Sequence, residues 1–169
     1  MSLIQLKFFK FLPVLALFIL ITISGCNQNS DQREFEKQAF SEPNGITETN
    51  DQGVVGNEDP DDWRIAPFFQ GDIDLITPPF PNPVLTNDRL NINIQVNFLD
   101  RISGIYIRVY RFGTLYPVDE RTQITPGTTS IVLDPRIISG GIPQPAGLYR
   151  IIIQDETENV ITYGDVEIE

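Results

Sequence analysis

From Leu90 to Phe98 apolar and polar residues alternate without a break: Leu90, Ile92, Ile94, Val96 and Phe98 are separated by Asn91, Asn93, Gln95 and Asn97. Period two puts each set on its own side of an extended chain, so the stretch predicts a β-strand with one buried face. The pattern recurs after a turn over 100–104, where Ile105, Ile107 and Val109 alternate with Tyr106, Arg108 and Tyr110. Residues 118–124 form a weaker candidate edge strand, closed by the turn signal Thr125-Pro126-Gly127. Further strands are predicted over 128–133, 148–154 and 159–168. They are separated by Asp134-Pro135, a Gly/Pro-rich loop over 138–147, and the polar turn Asp155-Glu156-Thr157-Glu158. Short strands at this spacing, with no convincing helix among them, predict an all-β fold. The expected form is a single antiparallel β-sandwich of about seven strands over 80–169. About 90 residues suffice for such a core without disulfides.

Upstream the pattern changes. Thr77-Pro78-Pro79-Phe80-Pro81-Asn82-Pro83 holds four prolines, which exclude a helix and a central strand. It reads as an extended, polyproline-like approach, and the domain boundary is placed within it, at residue 80. The lead-in over 63–79 also carries Trp63, Phe68 and Phe69 close together. Two readings stand: packing on the domain edge, or a stacking platform for a glycan or partner. Residues 26–62 are acidic and nearly empty of large apolar side chains apart from Phe35, Phe40 and Ile46, which predicts a flexible linker. As a coil it would span roughly 30–35 Å. A short helix over 31–38 would be marginal without tertiary support.

The chain begins with a different kind of segment. Lys7 and Lys10 precede an apolar run over 11–23, and Ser24-Gly25 supply small residues before Cys26, the single cysteine. These are the three parts of an export signal, residues 1–25. Counted from Phe8, the apolar stretch is about 16 residues, interrupted by Lys10 and Pro13, against the roughly 20 a spanning helix needs. Ile23-Ser24-Gly25-Cys26 resembles the lipobox of bacterial lipoprotein precursors. The resemblance implies cleavage between Gly25 and Cys26, lipidation of the Cys26 thiol, and tethering to a membrane. Asn27, where aspartate would retain such proteins at the inner membrane, implies the outer membrane. Ser30-Asp31 with Glu34 and Glu36 is a partial match to the acidic surface-export signal of some bacteria.

The formal charge is −11, and losing Lys7 and Lys10 with the leader takes it to about −13, which argues against nucleic acid. No polybasic patch is present, so the lipid would anchor the chain alone.

The sandwich region resembles the immunoglobulin-like modules of the flagellar hook-capping protein and the C-terminal sorting domains of type IX secretion cargo. The residues that carry this are Phe80-Pro81-Asn82-Pro83, the alternating strand from Leu90 to Val96, Val109-Tyr110, and Ala146-Gly147-Leu148-Tyr149. The resemblance implies an immunoglobulin-like fold. A sorting role would predict release after clipping of the C-terminal domain.

Little catalytic chemistry is open to this composition. Histidine is absent, Cys26 is taken by lipid, and Lys37 alone represents lysine after the leader. Histidine-based triads and most zinc sites are thereby removed, and no phosphate-binding glycine loop is found. The expectation is no enzyme, no cofactor and no metal. Asp59, Asp61, Asp62, Asp72 and Asp74 could supply calcium ligands, but read more simply as solvated acids. Arg108, Arg111 and Arg150 are expected on outward strand faces, either paired with nearby acids or marking a surface for an acidic partner. The expected function is a membrane-tethered, non-catalytic binding or assembly module with an envelope protein partner. The alternative is a glycan-binding lipoprotein using Trp63, Phe68 and Phe69.

Overall fold

The computed structural model describes residues 27–99, 102–143 and 145–169. Gly25, Cys26 and the rest of the expected leader lie outside the described residues. Helix α1 (Asn27–Ala39) is followed by a hairpin of β1 (Thr49–Asn50) and β2 (Gly53–Val54), then by a 3-10 turn (Pro67–Phe69). Seven strands come next: β3 (Ile73–Phe80), β4 (Leu90–Val96), β5 (Ile105–Arg111), β6 (Thr114–Arg121), β7 (Gly127–Leu133), β8 (Gly147–Gln154) and β9 (Val160–Ile168). A single turn of helix, α2 (Pro135–Ile138), lies between β7 and β8 and is capped by the Asp134 side chain.

The strands form two antiparallel sheets, ordered β3-β4-β7 and β6-β5-β8-β9. This is the expected all-β sandwich. In the register Leu90↔Leu133, Ile92↔Ile131 and Val109↔Ile151, Ile107↔Ile153, the apolar partners of each pair share a face. Leu90, Ile92, Ile94, Val96, Ile105, Ile107, Val109, Ile151 and Ile153 are all buried. The period-two pattern thus becomes the two facing walls of the core.

Two expectations about the N-terminal third are corrected. First, residues 30–62 are a packed strap and not a flexible linker. Phe35 and Ala39 are buried on one side of α1, and Thr47 and Thr49 are buried beyond it. The Phe35 ring lies 5.0 Å from the Tyr163 ring of β9. Burying such a side chain contributes about 2–3 kcal/mol, the tertiary support that a 13-residue helix of this composition requires.

Second, the domain does not begin at residue 80. β3 starts at Ile73 and, prolines included, is an edge strand with two register shifts against β4. An edge position is where proline is tolerated, because one side of the backbone needs no ladder partner.

The strap and the segments that follow it cover the outer surface and outer edge of β9. Trp63 N–H donates to Tyr163 O (2.7 Å), Ala66 N–H to Ile161 O (2.8 Å), and Val84 N–H to Glu167 O (2.8 Å). Asn82, in the proline-rich approach, is itself buried. Its Nδ2 donates to Thr47 O and Asp165 O, while its Oδ1 accepts from Glu167 N–H. Phe80-Pro81-Asn82-Pro83 is therefore the knot joining strap to sheet.

Candidate functional site

The three arginines singled out by the strand pattern meet three different fates. Arg108 pairs with Glu158 at 3.4 Å across an exposed surface. Arg150 faces outward from β8 as expected, yet it is buried, because α1 and the strap close over it. Its Nε and Nη2 meet the two oxygens of Asp165 at 2.7 and 2.8 Å, and Nη1 donates to Gln38 O, Ser41 O and Ser41 Oγ. Burial penalises the guanidinium charge, but the hydrogen bonds and charge of Asp165 outweigh it and hold the Arg150 pKa above its ordinary value. The same network includes Asp62, whose oxygens accept from Asp165 N–H (2.8 Å) and Thr47 N–H (2.9 Å). Burial pushes the Asp62 carboxyl up to about 7; the backbone hydrogen bond from Asp165 opposes this, and the Asp165 charge adds to it. This cluster is a structural lock, because its members are spent on one another.

Arg111 differs. It follows Val109 onto the inner side of β5, not the outward face, and sits where the two sheets part at the β5–β6 end. Among the described residues it forms no ion pair. Nη1 donates to Ser139 O at 2.9 Å, and the buried Nε has no hydrogen-bond partner. The guanidinium lies 5.2 Å from the Tyr116 ring and 5.9 Å from the Phe112 ring. Two hollows adjoin it. One, of about 600 Å³, runs between β5–β6 and the α2 region, with Val109, Tyr116, Ile137 and Ile138 on its walls. The other, of about 460 Å³, lies toward Tyr110, Phe112, Ile142 and Leu148, with Glu42 at its rim.

Between the hollows stands the β5–β6 turn. The Arg111↔Thr114 pair closes a two-residue connection, Phe112-Gly113, with φ of 51° and 74°. Both residues are left-handed, as in a type I′ hairpin turn, a place normally taken by Asn-Gly. An L-residue with a bulky side chain is disfavoured there by about 1–2 kcal/mol. Phe112 recovers none of this through burial, for it is 83% exposed. Tyr116, Ile137, Ile142 and Leu148 around it are exposed as well.

The other expected contacts do not converge. Trp63 and Phe69 are buried, while Phe68 is exposed and meets Phe69 edge-on at 5.0 Å. A Cβ on Gly164 would fall 2.3 Å from the Trp63 ring, so the indole lies directly on the β9 backbone. The trio therefore forms no open platform. Asp61 pairs with Arg64 and Asp74 accepts from Asn97. Among the described residues no group of three or more acidic, His or Cys side chains is placed to hold a metal ion. No described helix is long and apolar enough to cross a membrane.

No family model matches the chain, and no curated protein or solved structure proved similar to it.

Proposed function

We propose that this chain is a lipid-anchored, non-catalytic binding or assembly module of the bacterial cell envelope, docking a protein partner at the open β5–β6 end of its sandwich. The observation that carries this reading is Phe112, an aromatic kept exposed at a disfavoured backbone position beside an unpaired arginine and two apolar hollows. Strain held without a packing return is characteristic of functional sites, and exposed aromatic and arginine side chains dominate protein interfaces.

The lipobox-like Ile23-Ser24-Gly25-Cys26 supports the anchor, and Asn27 supports the outer membrane. The sheet orders of three and four strands support the immunoglobulin-like resemblance. The fold also supports an orientation. Gln32, in the first half of α1, reaches Val160 O and Phe68 N–H, at the end of the sandwich holding the β8–β9 turn. Phe112 lies at the opposite end, beyond β8, whose eight residues extend roughly 25 Å. A lipid on Cys26 would thus attach at the base of the sandwich and leave the hairpin tip facing away from the bilayer.

The test pairs two measurements in native cells. Metabolic labelling with an alkyne fatty acid should tag the wild type and leave Cys26→Ala untagged. A photo-crosslinking residue at position 112 should trap a discrete protein, whereas one at Phe98, at the other end, should not. An untagged wild type would remove the anchor. Crosslinks to polysaccharide alone at position 112 would replace docking of a protein with glycan binding.

A further inference from the structure

Charge in the sandwich mouth is distributed unevenly. Asp134 is hydrogen-bonded by Arg136 (Nη2 to Oδ2 at 2.6 Å) and approached by Arg89 at 3.5 Å. Hydrogen bonds from Arg136 hold the Asp134 carboxyl well below the usual range, so it remains ionised and committed to these two cations. Two guanidinium groups, Arg89 and Arg136, therefore share this one carboxylate, in a chain whose overall charge is strongly negative. Arg111 is left without an anion among the described residues, and it lines both hollows.

Each hollow carries an apolar wall, Val109, Ile137 and Ile138 in the first and Ile142 and Leu148 in the second, and the first also holds the Asp134–Arg136 pair. In an extended chain, side chains two residues apart point the same way and lie roughly 7 Å apart. Glu42 at the rim of the second hollow would repel a further acid on that side.

Resting on the docking reading above, we infer that the partner presents an extended segment with one acidic residue flanked, two positions away on each side, by aliphatic residues. The carboxylate would meet the Arg111 guanidinium, and the aliphatic side chains would fill the two hollows. Charge-assisted pairing in a partly dry mouth sets register and specificity, and the apolar neighbours exclude water from it.

The probe is the synthetic peptide acetyl-Gly-Leu-Ser-Asp-Ser-Leu-Gly-amide, titrated into the mature chain carrying Cys26→Ser. Binding is followed through the Arg111 Nε–H resonance, so the outcome is independent of lipidation. Saturable binding that moves this resonance is expected. It should weaken about tenfold when the peptide Asp becomes Asn, consistent with loss of one charged hydrogen bond. Arg111→Gln should weaken it similarly, while Arg108→Gln, whose partner is Glu158 in the β8–β9 turn, changes it less than twofold.

No shift of the Arg111 resonance at millimolar peptide would overturn the inference, as would equal binding of the Asp and Asn peptides. The peptide pair leaves the protein intact, so its result holds even if Arg111→Gln impairs folding. A negative peptide result beside a protein crosslink at position 112 would retire this ligand class and keep the docking reading.

Discussion

The two halves of the β6-β5-β8-β9 sheet treat similar residues in opposite ways. On the β8–β9 half, Arg150 is buried, meets both oxygens of Asp165, and is roofed by α1 and the strap. On the β5–β6 half, Arg111 has no carboxylate among the described residues, and its buried Nε has no hydrogen-bond partner there. The aromatics repeat the contrast. Trp63 and Phe112 both adopt positive φ, 57° and 51°. Trp63 is 6% exposed and seated on Gly164, whereas Phe112 is 83% exposed. An unfavourable conformation offset by burial is a packing solution. The same conformation with nothing to offset it locally is best understood through a partner.

That contrast makes its strongest prediction at Arg150. Arg150→Met leaves Asp165 buried without its cation and should lower unfolding free energy by about 3–5 kcal/mol, whereas Arg111→Gln, which removes one hydrogen bond to Ser139 O and no ion pair, should lower it by about 1 kcal/mol. Equilibrium urea unfolding reads both. Similar losses for the two would erase the distinction between lock and mouth.

Phe35→Ala should come next, at about 3 kcal/mol, because the ring packs on Tyr163 and ties α1 to β9. A negligible effect would restore residues 26–62 to the role of a free tether. Gly164→Ala drives a methyl into the Trp63 indole and should cost about 2 kcal/mol, in the range of core overpacking.

A further effect concerns pH. Asp62 holds its proton more tightly in the fold, up to about 7, than in an unfolded chain, where about 3.9 is usual. Its contribution to stability is therefore complete below about pH 4, shrinks as pH rises, and is gone once the folded carboxyl has ionised above about 7. Between pH 4 and 8 the wild type should lose stability relative to Asp62→Asn as pH rises. Parallel pH profiles for the two proteins would remove Asp62 from the lock.

Much of the sandwich can be read from alternation alone. The Leu90–Val96 and Ile105–Val109 patterns locate β4 and β5, and the Asp155–Glu158 turn locates the β8–β9 hairpin. Edge strands are harder. Residues 118–124 only partly overlap β6 (Thr114–Arg121), because Pro117 and the exposed edge weaken the pattern. The strap escapes notice because its sequence is polar, and its few buried residues, Phe35, Ala39, Thr47 and Thr49, show no period. A signal for it does lie on the sheet. Ile151-Ile152-Ile153 and Val160-Ile161 break alternation, and adjacent apolar residues on one strand require cover on both faces. The mouth is less legible still. Arg111 looks like any surface arginine, and a Phe-Gly pair gives no notice that phenylalanine will hold a left-handed turn position. That position emerges only when the register pairs Arg111 with Thr114.

Phe112→Asn tests the central claim most directly, measured for stability and for partner crosslinking from the neighbouring hollow in the same preparation. Asparagine suits the type I′ turn, so unfolding free energy should hold or rise by up to about 1 kcal/mol while the crosslink is lost. A destabilised protein that still captured its partner would show that Phe112 serves the fold, and the binding mouth would have to be sought elsewhere.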